Sequence, residues 1–198
     1  MKPKPKIKMI ELTQTKSSGA WENPEAGEYK AVCVDVVLNK NEQTNFGEKD
    51  MIYLFFELEA ENSQGRRHIV RYRATASLNP KANLCRFMQK WRDKRIGDGD
   101  SINFKSLIGL GAILELELEE GNDGKIWCNI DRARKLDETE TPTPDGRYDG
   151  DFVRQGISDR NPGSEIVEST VAKPAKKASP PKKKVNASSA SDEDDVPF

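Results

Sequence analysis

The sequence predicts a mainly β protein with a polar appendage, on three observations. Valine-rich and alternating apolar stretches recur between turn-forming residues, a single stretch has helical spacing, and the composition changes character near residue 137. With 198 residues, 35% hydrophobic and 33% charged, the chain has material for one ordinary domain but not for a core along its whole length.

The first strand is predicted over YKAVCVDVVL (29–38) and the second over MIYLFFELEA (51–60), with NKNEQTNFGEKD supplying Asn, Gly and Asp as turn material between them. A short polar turn leads into RRHIVRYRAT (66–75), a third strand within hairpin reach of the second. The period then changes. In NPKANLCRFMQKWRDK, Leu84, Phe87, Met88 and Trp91 recur at i, i+3, i+4 and i+7, with Asn79 placed as N-cap and Pro80 at the first helical position. INFKSLIGLG fits neither period. AILELELEE (112–120) and KIWCNIDRA (125–133), separated by GNDG, predict a second hairpin. Three strands, a helix and two strands is the order of the OB-fold, a five-stranded Greek-key barrel with one helix between strands 3 and 4, one face of which binds oligonucleotides or oligosaccharides. The expected organisation is a flexible basic arm over 1–20, where lysines alternate from Lys2 to Lys8, an OB-fold nucleic-acid-binding domain over 21–136, and a tail over 137–198.

Strand parity assigns the two faces, because alternate side chains point to opposite sides and a barrel has one dry interior. Even positions are expected inside: Val32, Val34, Val36 and Leu38; Ile52, Leu54, Phe56 and Leu58; Val70 and Tyr72; Leu114, Leu116 and Leu118; Ile126, Cys128 and Ile130. Odd positions then face out. They include Tyr53 and Phe55 on the second strand, Arg67, Arg71 and Arg73 on the third, and Lys125 and Trp127 on the fifth. Aromatic rings beside guanidinium groups form a surface able to stack bases and neutralise phosphates, each stacked base contributing about 1–3 kcal/mol. The competing reading is of ordinary strand residues covered by the tail or by a second subunit. Glu115, Glu117 and Glu119 face out on the fourth strand and would repel a phosphate backbone, so a nucleic-acid groove belongs on the second and third strands.

Residues 1–136 hold 23 Lys and Arg against 20 Asp and Glu, whereas residues 137–198 hold 9 against 13, so a basic body carries an acidic tail. Cys33, Cys85 and Cys128 are scattered and odd in number, which fits free thiols in a reducing, cytoplasmic compartment. No apolar run approaches the ~18 residues of a membrane span. One histidine, His68, and three dispersed cysteines exclude the usual zinc ligand sets, and phosphate-loop and dinucleotide glycine patterns are missing. Neither an enzyme nor a cofactor is expected. His68, at core parity beside arginines, reads as structural.

From residue 137 the chain is rich in Pro, Gly, Ser, Thr and charge, a composition that cannot bury enough surface to offset the entropy of ordering, so disorder is expected. Tyr148, Phe152 and Val153 form a small apolar exception that either docks on the barrel or marks a second contact. The basic stretch KPAKKASPPKKKV (173–185) fits loose nucleic-acid binding, a nuclear import signal or plain solubility.

The last residues, DEDDVPF, resemble the acidic tip of bacterial and phage single-stranded DNA-binding proteins, which carries an acidic run, an aliphatic residue, proline and phenylalanine. By position Asp192, Glu193, Asp194 and Asp195 look like the acidic run, and Val196, Pro197 and Phe198 like the hydrophobic end. Val196 stands where isoleucine is usual, and the body, GEYKAVCVDV…FGEKDMIYLFFEL…GRRHIVRYR…FMQKW, is similar to a diverged phage-type member rather than to the common bacterial protein. The resemblance implies a non-enzymatic protein that coats single-stranded DNA without strong sequence preference during replication, recombination or repair. It also implies that the tip recruits partner enzymes, acids steering toward a basic surface and the phenyl ring filling an apolar pocket. Homo-oligomerisation is compatible with the sequence. The alternatives are a recombination mediator or annealing protein using the same surface, and a metal-dependent nuclease built on the glutamate strand.

Overall fold

A computed structural model describes residues 22–167; the basic arm expected over 1–20 and the tip over 192–198 lie outside the described residues. The described residues are mainly β, an antiparallel six-stranded sheet with two α-helices. The strands are β1 (Gly27–Thr44), β2 (Gly47–Glu61), β3 (Arg67–Thr75), β4 (Gly111–Glu120), β5 (Ile126–Lys135) and β6 (Glu165–Val167). Helix α1 (Asn83–Arg92) lies between β3 and β4 in the chain, and α2 (Gly150–Arg160) precedes β6. The sheet runs β3-β2-β1-β4-β5, and β6 adds to β1 beyond the stretch that pairs with β4. At the ends of this path β3 and β5 approach one another, yet among the described residues no hydrogen-bonded ladder joins them; α1 packs against both. None of the described helices is long and apolar enough to cross a membrane.

One core fills the concave side of the sheet. Ile52, Leu54, Phe56 and Leu58 of β2, Val70 of β3 and Leu114 and Leu116 of β4 meet the apolar face of α1, Leu84, Phe87, Met88 and Trp91. Trp91 is held in place twice, by edge-on packing on Phe56 at 5.1 Å and by a hydrogen bond from its Nε1 to the Gly111 carbonyl at 2.9 Å. The helix starts later than expected: Asn79 accepts from Lys81 N in a preceding turn, and Ala82 occupies the N-cap position without a side-chain hydrogen bond. Asp93 ends it in the left-handed region at φ 50°.

The parity expected for β1 is corrected by a bulge. Ala31 and Cys33 face the core, opposite Leu58 and Phe56, and the register then shifts between Cys33 and Asp35, so that Val36 faces inward opposite Leu54. Val32 and Val34, expected inside, therefore point to the other side of the sheet, and Asp35 joins them there. Leu118 and Ile126, also expected inside, are half-exposed at the outer end of the β4–β5 hairpin.

That second side of the sheet also carries an apolar cluster, smaller than the first. Val32, Val34, Val37, Met51, Tyr53 and Phe55 lie on it, and Ile157 of α2 seals it together with Tyr148, Val153 and Ile166. The disorder expected over 137–198 is thus corrected for 137–167, which contain a 3₁₀ turn (Glu138–Glu140), α2 and β6. Among the tail's few large apolar residues, Tyr148, Val153, Ile157 and Ile166 all land on one patch, and this burial offsets the ordering cost. Asp149 caps α2 through Phe152 N, and Arg154 of α2 pairs with the buried Asp35 at 2.8 Å.

The extension should accordingly unfold with the sheet as one unit. Ile157→Ala is expected to cost about 2–5 kcal/mol, and Asp35→Ala, which leaves Arg154 only the exposed Asp151 at 4.0 Å, about 3–5 kcal/mol. Both are read from urea unfolding curves. An Ile157→Ala curve superimposed on that of the unaltered protein would show that α2 lies outside the cooperative fold.

Candidate nucleic-acid interface

The seven residues expected at a binding face start from sound local logic. On β3, Val70 and Tyr72 turn to the core, so Ile69, Arg71 and Arg73 turn away from it, opposite Glu57, Phe55 and Tyr53 of β2. Where these outward residues lead differs from the expectation, because α2 occupies part of the face.

Tyr53 and Phe55 were expected to be wet and are not: they are 3% and 5% exposed, roofed by the α2 layer, with Phe55 5.8 Å from Tyr148. Tyr53 instead serves as a platform for cations. The Arg71 guanidinium carbon lies 6.0 Å from its ring centroid and that of Arg73 5.9 Å, at the cation–π limit of about 6 Å. Arg67 is withdrawn altogether. It pairs with the buried Glu57 at 3.2 Å and donates to the Thr143 carbonyl at 2.7 Å, stitching β3 to the extension.

The remaining four, Arg71, Arg73, Lys125 and Trp127, do come together. They line an open groove of about 1150 Å³ between β3 and the outer part of β5, with Phe55 reaching it by one edge. α2 forms a wall of the same groove through Phe152, Val153, Gly156 and Arg160. Trp127 is 49% exposed and Phe152 77%, so two aromatic rings stand in water at its walls. Among the described residues that line it there are four cations and no Asp or Glu. Such a groove concentrates anions, since low-dielectric walls focus the field of like charges.

Arg73 is held by a buried network. Its Nη2 donates to Glu42 Oε1 at 2.6 Å and its Nε to the Tyr53 hydroxyl at 3.2 Å, while Tyr53 and Asn39 donate to Glu42 Oε2. Burial alone would push Glu42 up, but hydrogen bonds from Tyr53, Arg73 and Asn39, with the charge of Arg73, hold it below the usual carboxylate value. Lys125 meets Asp123 at 2.7 Å at the exposed hairpin turn, a surface pair that solvent screens. Arg71 carries no ion pair among the described residues; burial and the nearby charge of Arg160 both push it below its ordinary range.

Phe152 and Arg160 were not among the expected site residues. Phe152 gave a signal, as part of the tail's apolar cluster, whereas a lone arginine at the end of a polar segment gave none. His68 is buried, with Nδ1 3.1 Å from the Glu22 carbonyl, in keeping with a structural role. On β4, Glu115 pairs with Arg132 and Glu119 accepts from Asn129. No group of three or more His, Cys, Asp or Glu among the described residues could hold a metal ion. No family model matches the chain, and no curated protein matches it either.

The Glu42 network has a pH signature. Because the folded-state value is depressed, its stabilising contribution is complete above the ordinary value of 4.5 and is lost as pH falls through the lower folded value. Urea midpoints measured from pH 7 down to about 3 should fall more steeply for the unaltered protein than for Glu42→Gln. Parallel curves would remove Glu42 as the source.

Proposed function

We propose that this chain is a non-enzymatic OB-fold protein that coats single-stranded DNA without strong sequence preference, in replication, recombination or repair. The groove carries this reading: among the described residues it is lined by four cations, two exposed rings and no carboxylate, in a trough larger than the roughly 300–1,000 Å³ of small-molecule pockets. A polymer whose every unit brings one phosphate and one flat base meets that combination, with Trp127 and Phe152 stacking and Arg71, Arg73 and Lys125 neutralising. The OB-fold reading is supported by the strand path β3-β2-β1-β4-β5, by the position of α1 between β3 and β4, and by the approach of β3 to β5 beside α1. Segment 192–198, by its resemblance to the acidic tip, recruits partner enzymes of DNA metabolism through Asp192–Asp195 and the Val196–Phe198 end.

Tryptophan fluorescence tests this, because of the two described tryptophans Trp91 is buried in the core and Trp127 stands in the groove. Trp21 lies outside the described residues, and Trp127→Phe identifies the share of the signal that belongs to the groove. An oligo-dT strand should quench the signal, with log K falling by roughly 0.7 per phosphate neutralised for each unit of log salt. Trp127→Ala should weaken binding by about 1–3 kcal/mol, roughly 5–150-fold. Affinity for a duplex equal to that for the strand, or a salt-independent signal, would overturn the reading.

A further inference from the structure

The arginines on this face divide into two classes. Arg67, Arg73 and Arg154 each have a buried carboxylate of their own, Glu57, Glu42 and Asp35 respectively. Arg71 and Arg160 have no ion pair or hydrogen bond among the described residues, although both line the groove, one from β3 and one from the last residue of α2. Each nevertheless carries a full charge, and the two charges repel across the space between them. Among the described residues three of these arginines have a carboxylate and these two have none, which leaves a place for an external anion.

On α2 the groove-lining residues Phe152, Gly156 and Arg160 recur at i, i+4 and i+8 and so share one face. A Cβ placed on Gly156 meets nothing within 4 Å, so the stripe reads ring, gap, cation over about 12 Å at 1.5 Å per residue. Arg160 sits at the helix C-terminus, where a cation is favoured by the macrodipole and needs no carboxylate to hold it.

We propose that Arg71 and Arg160 close on one backbone phosphate of the bound strand, and that the gap at Gly156 seats the adjoining nucleotide beside the ring of Phe152. The proposal rests on the single-strand reading and deepens it: the extension is half of the binding site. Two planar guanidinium groups approaching a phosphate from opposite walls each present paired N–H donors to its oxygens, and the phosphate removes the repulsion between them.

The test is oligo-dT binding across a salt series. Arg71→Ala and Arg160→Ala should each lower affinity while the protein stays folded, its melting temperature moving by no more than a few degrees. Replacing both should reduce the slope of log K against log salt by about 0.7, the loss of one phosphate. A reduction of about 1.4 would assign the two arginines to separate phosphates and overturn the shared grip. Gly156→Leu supplies a helix-favouring residue and fills the gap, so it should raise the melting temperature and weaken binding about tenfold. Unaltered affinity in Arg160→Ala and Gly156→Leu would exclude α2 from the site while leaving the single-strand reading intact. Failure of the unaltered protein to bind oligo-dT would end that reading and this proposal together.

Discussion

The Asp35 carboxylate is the contact on which the outer half of this protein depends. A bulge in β1 turns it away from the core, where it accepts from Val36 N at 2.8 Å, from Arg154 at 2.8 Å and from the Tyr148 hydroxyl at 3.0 Å. Burial pushes its proton affinity up, and the nearby Arg154 charge and these hydrogen bonds act against that. A charge buried in a sheet flanked by Val34 and Phe55 would be costly if left alone, and the extension brings both partners that complete it, Arg154 from α2 and Tyr148 from just ahead of that helix. Because Tyr148 and Arg154 bracket the start of α2, satisfying Asp35 also fixes where the helix lies, and with it the wall of the groove.

Fixing α2 there solves a second problem. A sheet apolar on one face needs one cover; this sheet is apolar on both and needs two. α1 covers the concave side over Phe56 and Leu54, and the extension covers Val32, Val37, Met51 and Phe55 on the other. The short strand β6 completes the cover by pairing Ile166 with Asn39 on β1, so the chain following α2 is tied back to the sheet before leaving the described region. The result is a groove with one wall from the sheet and another from α2, which lies more than 70 residues beyond β3 along the chain, so that Arg71 and Arg160 line one trough.

The sequence made the strand order and the main helix legible because both rest on periodicity. Ile52–Leu58 alternates without interruption, and Leu84, Phe87, Met88 and Trp91 keep their spacing through α1. Parity failed where periodicity is broken by geometry. The Cys33–Asp35 bulge leaves no mark in YKAVCVDVVL beyond an acid in a valine run, and that acid was the available clue. The extension was misread for a quantitative reason: a handful of apolar residues among Pro, Gly and charge is too few to build a core, yet enough to complete one already half built. The site was half legible for the same reason, since its β3 and β5 residues follow alternation and its α2 residues follow docking.

Burial of Tyr53 and Phe55 does not take the aromatic rings out of function; it changes what they do. An exposed ring on β2 would stack a base, but a roofed ring presents its edge and face to neighbouring guanidinium groups. Tyr53 lies about 6 Å from both Arg71 and Arg73, and its hydroxyl, bonded to Glu42 and to Arg73, ties the second of these to the network. On the proposed single-strand reading, the side chains that would meet phosphates are thereby ordered before the ligand arrives, which would lower the entropy cost of binding. On the same reading stacking would pass to Trp127 and Phe152, whose rings line the groove and remain accessible. In this arrangement the buried Tyr53 positions the cations, and the proposed binding of bases would fall to the exposed rings, a division that an unroofed sheet could not provide.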